Sequence, residues 1–231
     1  MSDILGQALL DFHHGKHTND MVTWTNISDE DTLPLAYLFR TFEDMPKIEQ
    51  CALKMARGNI LDVGCGAGGH SLWLQDKGLK VHAIDSSKGA VEVCALRGIK
   101  HVTQTGLLDV TATYDTILIL MNGTGIFQNM KHLSSYLLHL KSILNPQGQV
   151  LIDSTDIAYM YQNEDGTSCM EINPNYYGEL KYYMSYNGKQ ATAMEWLYLD
   201  FDTLKQACHD AGLNCEKIEA GDHHDYLAKL S

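Results

Sequence analysis

A glycine-rich stretch that follows an apolar run is the part of the sequence best suited to bind a ligand. Residues 60–69 have the sequence ILDVGCGAGG. Gly64 permits a sharp turn from strand to loop, Gly66 lets the backbone approach a ligand, and Gly68 or Gly69 allows the next helix to pack closely. The amides of this loop, including that of Cys65, are expected to point at the ligand. The stretch therefore predicts a site for a nucleoside cofactor.

Two classes of cofactor fit the glycine spacing. The pattern G-x-G-x-x-G is typical of nicotinamide dinucleotide sites. The pattern D-x-G-x-G, which begins at Asp62, is typical of S-adenosylmethionine sites. A carboxylate at this position suits a ligand that carries an ammonium group better than a pyrophosphate, which it would repel. Asp62 therefore favours S-adenosylmethionine, and a nicotinamide-dependent oxidoreductase remains an alternative.

An acidic residue ends the second predicted strand. The apolar run at 79–84 leads into Asp85, twenty-three residues after Asp62. A carboxylate at this strand end can accept both hydroxyl protons of a ribose, so an acid about 20 residues after the glycine loop belongs to the nucleoside fingerprint. Capping of the next helix is the alternative for Asp85. Ser86 is predicted to join the cofactor contacts, and either Ser86 or Ser87 to cap that helix.

Four stretches of the chain resemble the class I S-adenosylmethionine-dependent methyltransferases: LDVGCGAGGHSLWL, VHAIDSS, YDTILILMNGTG and LNPQGQVLIDS. The resemblance covers residues 35–155 and, beyond them, only the order of the elements. It implies an α/β fold with a doubly wound Rossmann-like sheet, mostly parallel with an antiparallel last strand. It also implies S-adenosylmethionine as the cofactor and S-adenosylhomocysteine as its product.

The resemblance suggests further site residues. Asn122 ends the fourth strand, where its amide could orient the acceptor or the cofactor, although Asn is also a common turn residue. Asp153 ends the fifth strand and could position the acceptor or act as a base. Leu107 and Leu108 could sandwich the adenine or pack in the core. Arg40 could clamp the carboxylate of the cofactor, with an exposed helical arginine as the alternative.

The order of predicted elements favours a single domain over residues 1–231. It divides into an N-terminal helical cap (1–57), a cofactor-binding core (58–155), an acceptor-side insertion (156–200) and a last helix with edge strands (201–231). A β-hairpin near 179–199 is predicted from Asn187-Gly188, a strong signal for a two-residue turn. Such a hairpin is not part of a plain nucleotide-binding fold.

Composition and charge disfavour several classes of substrate and site. A net charge of −12 disfavours nucleic acid, whose binding relies on Lys and Arg, and favours small or cationic substrates. Six cysteines without a C-x-x-C pair indicate reduced thiols in a cytoplasmic protein. No apolar run approaches the roughly 18 residues needed to span a membrane. The histidines near both ends lack a matching carboxylate pattern, so no metal site is predicted. The oligomeric state is left open.

These observations predict methyl transfer from S-adenosylmethionine to a small-molecule oxygen, nitrogen or carbon. The positively charged sulfur already activates the methyl group, so the protein mainly has to position the two reactants. Besides the oxidoreductase, a non-enzymatic module that binds the cofactor or a partner remains an alternative. The sequence does not identify the acceptor or show whether a base is needed.

Overall fold

The computed structural model describes residues 3–161 and 175–231. Within these ranges the α-helices are α1 (Ile4–His13), α2 (Leu35–Leu38), α3 (Lys47–Met55), α4 (Gly69–Asp76), α5 (Lys88–Leu96), α6 (Met130–Ser142) and α7 (Phe201–Asp210). The strands are β1 (Met21–Thr25), β2 (Ser28–Leu33), β3 (Asn59–Val63), β4 (Lys80–Asp85), β5 (Val102–Gln104), β6 (Tyr114–Ile119), β7 (Leu144–Thr155), β8 (Glu179–Tyr186), β9 (Lys189–Gln190), β10 (Met194–Leu197), β11 (Cys215–Ala220) and β12 (Asp225–Leu230).

The large sheet has seven strands in the order β11-β12-β7-β6-β3-β4-β5. Strands β3 to β7 pair in parallel, whereas β12 pairs antiparallel with both β7 and β11. The last strand is therefore the one that runs against the others. This arrangement confirms the predicted Rossmann-like α/β fold with an antiparallel last strand.

Helices cover both faces of the large sheet. Side chains alternate along each strand, so each strand presents apolar side chains to both faces. On one face, Leu61 and Ile84 pack in a cluster with side chains of α6 and α7. On the other face, Ile60 and Val81 pack with side chains of α3 and α4. Burial on both faces explains why the central strands are continuously apolar. No helix of the described chain is long and apolar enough to cross a membrane.

A second, antiparallel sheet has the order β10-β8-β1-β2, with β9 paired to β8. Asn187 and Gly188 join β8 to β9 with φ of 48° and 73°, as a tight hairpin turn requires. The predicted hairpin is therefore present. The predicted N-terminal helices are present as α1, α2 and α3, and the structure adds β1 and β2 between α1 and α2, which the sequence did not predict. Strand β2, with the sequence SDEDTL, has no apolar alternation and is held at the sheet edge by backbone pairing to β1.

Hydrogen bonds tie the small sheet to the carboxyl ends of β6 and β7. The Thr124 hydroxyl donates to the carbonyl of Leu197 at 2.8 Å, and the Leu199 N–H donates to the Ser154 hydroxyl at 2.9 Å. The ring of Trp196 fills the space that a side chain at Gly125 would need. The small sheet is thereby fixed beside the edge at which ligands of such folds bind.

Candidate functional site

The glycine loop joins β3 to α4 and leaves open space above one of its residues. Gly64, Gly66 and Gly68 all have positive φ, at 72°, 52° and 81°. A Cβ at Gly68 would collide with Ile99 and approach the Cys94 sulfur, so this glycine serves packing. A Cβ at Gly66 would meet no atom within 4 Å. The open side of Gly66 is where a ligand can approach the backbone closely.

The amides of this loop bind the end of β4, which differs from the expectation that they point at the ligand. The N–H groups of Gly64 and Cys65 both donate to the carbonyl of Ile84, at 2.9 and 3.0 Å. The Gly66 N–H donates to Asp85 Oδ2 at 2.9 Å. The Cys65 side chain is buried, with its sulfur 3.6 Å from that of Cys94. These three N–H groups are already bonded within the protein, so the loop offers a ligand its open backbone surface and not free donors.

Asp85 lies where the glycine loop, β4 and α5 meet. Its Oδ1 accepts the Ser87 N–H at 2.8 Å, and its Oδ2 accepts from Gly66. Burial raises the pKa of Asp85 against the effect of these two bonds. Each oxygen keeps lone pairs for further donors, which suits a ribose diol. Ser87 caps α5 by accepting the Ala90 N–H, and Ser86 is exposed beside Asp85.

Asp62 and Leu107 are buried, whereas Leu108 is exposed. Asp62 is buried and accepts from the Ser71 hydroxyl at 2.6 Å, which anchors α4, and its contact with a cofactor stays a prediction. Burial raises the pKa of Asp62. Leu107 is 4% exposed and packs in the main core, whereas Leu108 is 47% exposed. The packing alternative is therefore favoured for Leu107, and Leu108 remains available to a ligand.

Asn122 and Asp153 are brought together at the carboxyl ends of β6 and β7. Met121 and Asn122 both have left-handed backbones, with φ of 67° and 62°. Asp153 holds this turn, because Oδ2 accepts the Asn122 N–H at 3.0 Å and Oδ1 accepts the Gly123 N–H at 2.8 Å. Burial raises the pKa of Asp153 to about 6, and these two bonds oppose the shift. Non-glycine residues in strained conformations cluster at functional sites.

The side chain of Asn122 has one unused polar atom. Its Oδ1 is buried and accepts no hydrogen bond. The Asn122 amide also interacts with the hydroxyl of Tyr198, whose pKa burial raises to about 12. Asn122 and Tyr198 lie far apart in the chain, so the sequence did not predict their contact. An acceptor oxygen without a donor suits a ligand that carries N–H or O–H.

Arg40 is buried in an ion-pair cluster. It is 9% exposed, which overturns the alternative of an exposed arginine. One of its terminal nitrogens lies 2.5 Å from both oxygens of Glu49, and His70 Nε2 lies 2.7 Å from Glu49 Oε2. The Arg40 guanidinium also stacks 3.9 Å from the centre of the Tyr37 ring. Its Nε is buried and has no hydrogen-bond partner. That atom is the donor left for the predicted contact with the carboxylate of the cofactor.

Glu49 and His70 were missed by the sequence reasoning. Burial opposes the charge of Glu49, but the hydrogen bond and charge of His70, together with Arg40, hold its pKa below the usual range. Burial also disfavours the charge of His70, yet Glu49 and Asp62 raise its pKa. A signal was present in the sequence. Glu49 lies beside Ile48 on the buried face of an amphipathic helix, and His70 directly follows the glycine loop.

A cavity of about 600 Å³ lies between these groups and the small sheet. Its polar and aromatic lining includes Tyr37, Glu49, Asn122, Asp153, Tyr159 and Tyr198. Within the described ranges, no group of three or more His, Cys, Asp or Glu side chains is placed to hold a metal ion. The cavity therefore offers aromatic faces, hydroxyls, one amide and carboxylates to a bound molecule.

Comparison with known proteins identifies the family. A model described as "Methyltransferase domain" matches residues 37–218. The chain is 42% identical to a SAM-dependent methyltransferase from Bacteroides fragilis, solved with S-adenosyl-L-homocysteine. The match covers 99% of this chain and 94% of that one, with a TM-score of 0.93. The chain belongs to the methyltransferase family. It is a class I, S-adenosylmethionine-dependent methyltransferase, so the oxidoreductase and non-enzymatic alternatives are set aside.

More distant methyltransferases share the fold of this enzyme. The CcbJ methyltransferase from Streptomyces caelestis is 15% identical, with a TM-score of 0.62, and the match covers 80% of this chain and 89% of that one. The sugar N-methyltransferase KedS8 from Streptoalloteichus sp ATCC 53650 is 14% identical, with a TM-score of 0.55, over 79% and 84%. No curated protein sequence matches the methyltransferase.

The residues of this methyltransferase fit its cofactor. The open side of Gly66 leaves room for the nucleoside beside the Asp85 carboxylate, and no side chain blocks that approach. When bound, S-adenosylmethionine supplies a methyl group activated by a positively charged sulfur. The turn at Met121–Gly123 follows β6, which is the neighbour of β3 in the large sheet. The glycine loop and the cavity therefore lie at the same edge of the sheet.

Proposed function

We propose that this methyltransferase transfers the methyl group to a small molecule bound in the cavity beside Asn122. The cavity itself is the observation that carries the proposal. Its volume of about 600 Å³ lies within the range of roughly 300–1,000 Å³ that is typical of small-molecule sites. The net charge of −12 argues against nucleic acid as the acceptor. The sugar N-methyltransferase KedS8, which has the same fold, supports a small acceptor.

We assign the following roles within that proposal. Asp85 binds the ribose, and Gly66 lets the nucleoside approach the loop. The free Nε of Arg40 donates to the carboxylate of the cofactor. Asn122 orients the acceptor through its unpartnered oxygen, and Asp153 positions Asn122 through the two backbone N–H groups that it accepts. Because catalysis is mainly positioning, misplacing Asn122 should lower turnover strongly.

The proposal also keeps the cytoplasmic location that the sequence suggested. Cys51, Cys65, Cys94, Cys208 and Cys215 are free thiols, and Cys169 lies outside the described residues. Free thiols in this number are typical of reducing compartments. Fractionation of cells that carry the tagged protein tests the location, and recovery in an oxidising compartment would contradict it.

Blocking the cavity tests the proposed function. Met160 lines the cavity and is 38% exposed, whereas Leu138 is a similarly exposed residue of α6 outside the cavity wall, at 52%. The enzyme is given S-adenosylmethionine and a mixture of small molecules, and formation of S-adenosylhomocysteine is measured. We expect Met160→Trp to abolish this formation and Leu138→Trp to leave it unchanged. Calorimetric binding of S-adenosylhomocysteine should survive in both variants. Full turnover by Met160→Trp would refute the cavity as the acceptor site.

A further inference from the structure

We infer that the group methylated in this cavity is an amine nitrogen. The inference rests on the proposed function, because it assumes that the acceptor is a small molecule bound beside Asn122. Two features of the described residues carry it: the charge of the cavity wall and the unpartnered oxygen of Asn122.

The wall of the cavity carries a surplus of negative charge. Asp222, in the turn between β11 and β12, and Asp225, the first residue of β12, line it together with Asp153 and Glu49. Glu49 is compensated by Arg40 and His70, but none of the three aspartates has an ion-pair partner in the described structure.

The cationic groups of the wall do not balance these aspartates. The potentially cationic side chains among the described lining residues are Lys47 and His223. Lys47 pairs with Glu219 at 2.8 Å. The cavity therefore favours a ligand that carries or develops positive charge.

The carboxylates of the wall keep acceptor capacity for a proton. Each oxygen of Asp153 accepts one backbone N–H, which leaves it further lone pairs, whereas both oxygens of Glu49 are held by Arg40 and His70. An alcohol must lose its proton before or during attack, and an amine bound as its ammonium ion must lose one before attack, since only the neutral amine has a lone pair. The aspartates of the wall can accept a proton in either case, so the preference for nitrogen rests on the charge that develops in the step.

The charge balance of the reaction agrees with this wall. The lone pair of the acceptor nitrogen forms the new bond to the methyl carbon while the carbon–sulfur bond breaks, and that electron pair stays on sulfur. No proton is lost in the step. The positive charge moves from sulfur to nitrogen, and the product leaves as an ammonium ion. The aspartates of the wall stabilise the charge as it develops, which is where electrostatic catalysis is most effective.

The hydrogen-bonding groups at the inner end of the cavity fit the same acceptor. The Asn122 oxygen is buried and lacks a donor, and an N–H of the amine supplies one. This bond would point the nitrogen lone pair away from the asparagine.

Matched pairs of amines and alcohols test the inference. We would use glucosamine with glucose, tyramine with 4-(2-hydroxyethyl)phenol, and 1,5-diaminopentane with 1,5-pentanediol. Binding is measured by calorimetry on protein saturated with S-adenosylhomocysteine, where no turnover occurs, and methylation is then measured with S-adenosylmethionine. In at least one pair, we expect the amine to bind about tenfold more tightly than its alcohol, which is about 1.4 kcal/mol. Added salt should weaken its binding.

Variants separate the cavity charge from the charge of the whole protein. Asp222 lines the cavity, whereas Asp76 is an exposed aspartate at the end of α4 outside its wall. Asp222→Asn should weaken amine binding up to about fivefold, the range of an exposed charge pair. Asp76→Asn should leave it unchanged, and Asn122→Ala should reduce both binding and methylation.

The outcomes distinguish the inference from the proposed function. Methylation of alcohols in preference to their amines would overturn the inference and keep the small-molecule function. The inference would also be overturned if the amine bound no more tightly than its alcohol in all three pairs. Blockage by Met160→Trp without any amine preference would leave the proposed function standing alone. Turnover that survives Met160→Trp would remove the proposed function itself.

Discussion

Replacing Asp153 by Asn tests whether this carboxylate positions the Asn122 turn. The carboxylate accepts the N–H groups of Asn122 and Gly123 at 3.0 and 2.8 Å. An amide presents an NH₂ group in place of one oxygen, so one backbone N–H loses its acceptor at a cost of about 1–3 kcal/mol. The left-handed turn then loosens, and we expect turnover to fall by at least about tenfold. Binding of S-adenosylhomocysteine should change less.

The same substitution removes a buried charge, so its effect on stability depends on pH. Burial raises the pKa of Asp153 from 3.8 to about 6. The folded protein therefore binds this proton more tightly than the unfolded chain, and the wild type loses stability as pH rises through that interval. A difference of about two pKa units corresponds to about 3 kcal/mol. Of this, about 2 kcal/mol falls between about pH 4.5 and pH 7.5.

Urea unfolding of the wild type, Asp153→Asn and the exposed control Asp76→Asn at these two pH values measures the effect. The stability of Asp153→Asn relative to the wild type should rise by about 2 kcal/mol from the lower to the higher pH. That of Asp76→Asn should stay constant. A pH-independent difference for Asp153→Asn would refute the buried charge, and full turnover of this variant would refute the positioning role.

Four further substitutions test the cofactor loop and the buried ion-pair cluster. Asp85→Asn leaves a backbone N–H without its acceptor and weakens the ribose contact, so calorimetry should show a loss of about 10- to 100-fold in S-adenosylhomocysteine affinity with unchanged circular dichroism. Gly68→Ala should lower the melting temperature more than Gly66→Ala, because only a methyl group at position 68 collides with Ile99. Gly66→Ala should instead weaken cofactor binding at modest cost to stability. A larger loss of stability in Gly66→Ala than in Gly68→Ala would contradict these roles. Glu49→Gln should destabilise the protein by about 3–5 kcal/mol in urea unfolding, because it leaves the buried charges of Arg40 and His70 uncompensated, and unchanged stability would count against that cluster.

Features that depend on local sequence were predictable. The glycine loop and Asp85 follow from residue types at fixed spacing, and the hairpin follows from Asn187-Gly188, since only a few residues adopt its turn conformations. The buried central strands follow from their apolar runs. Each of these signals lies within a short stretch of chain, where backbone sterics and burial dominate.

Features that depend on tertiary pairing were not predictable. Strand β2 is polar and is held by backbone bonds to β1, so it leaves no apolar pattern. Arg40 meets Glu49 and His70 only after α3 and α4 have packed on the same face of the sheet. The loop amides bind Ile84 and Asp85 because the loop folds back onto β4. One sequence provides no distances between such segments.

Tracing the methyl group tests the central claim most directly. The enzyme would be incubated with methyl-labelled S-adenosylmethionine and a cell extract, and the products would then be separated by size. We predict that the label enters the small-molecule fraction, and that Asn122→Ala and Met160→Trp lose this transfer while Leu138→Trp retains it. Label confined to protein or nucleic acid would contradict a small-molecule acceptor bound beside Asn122.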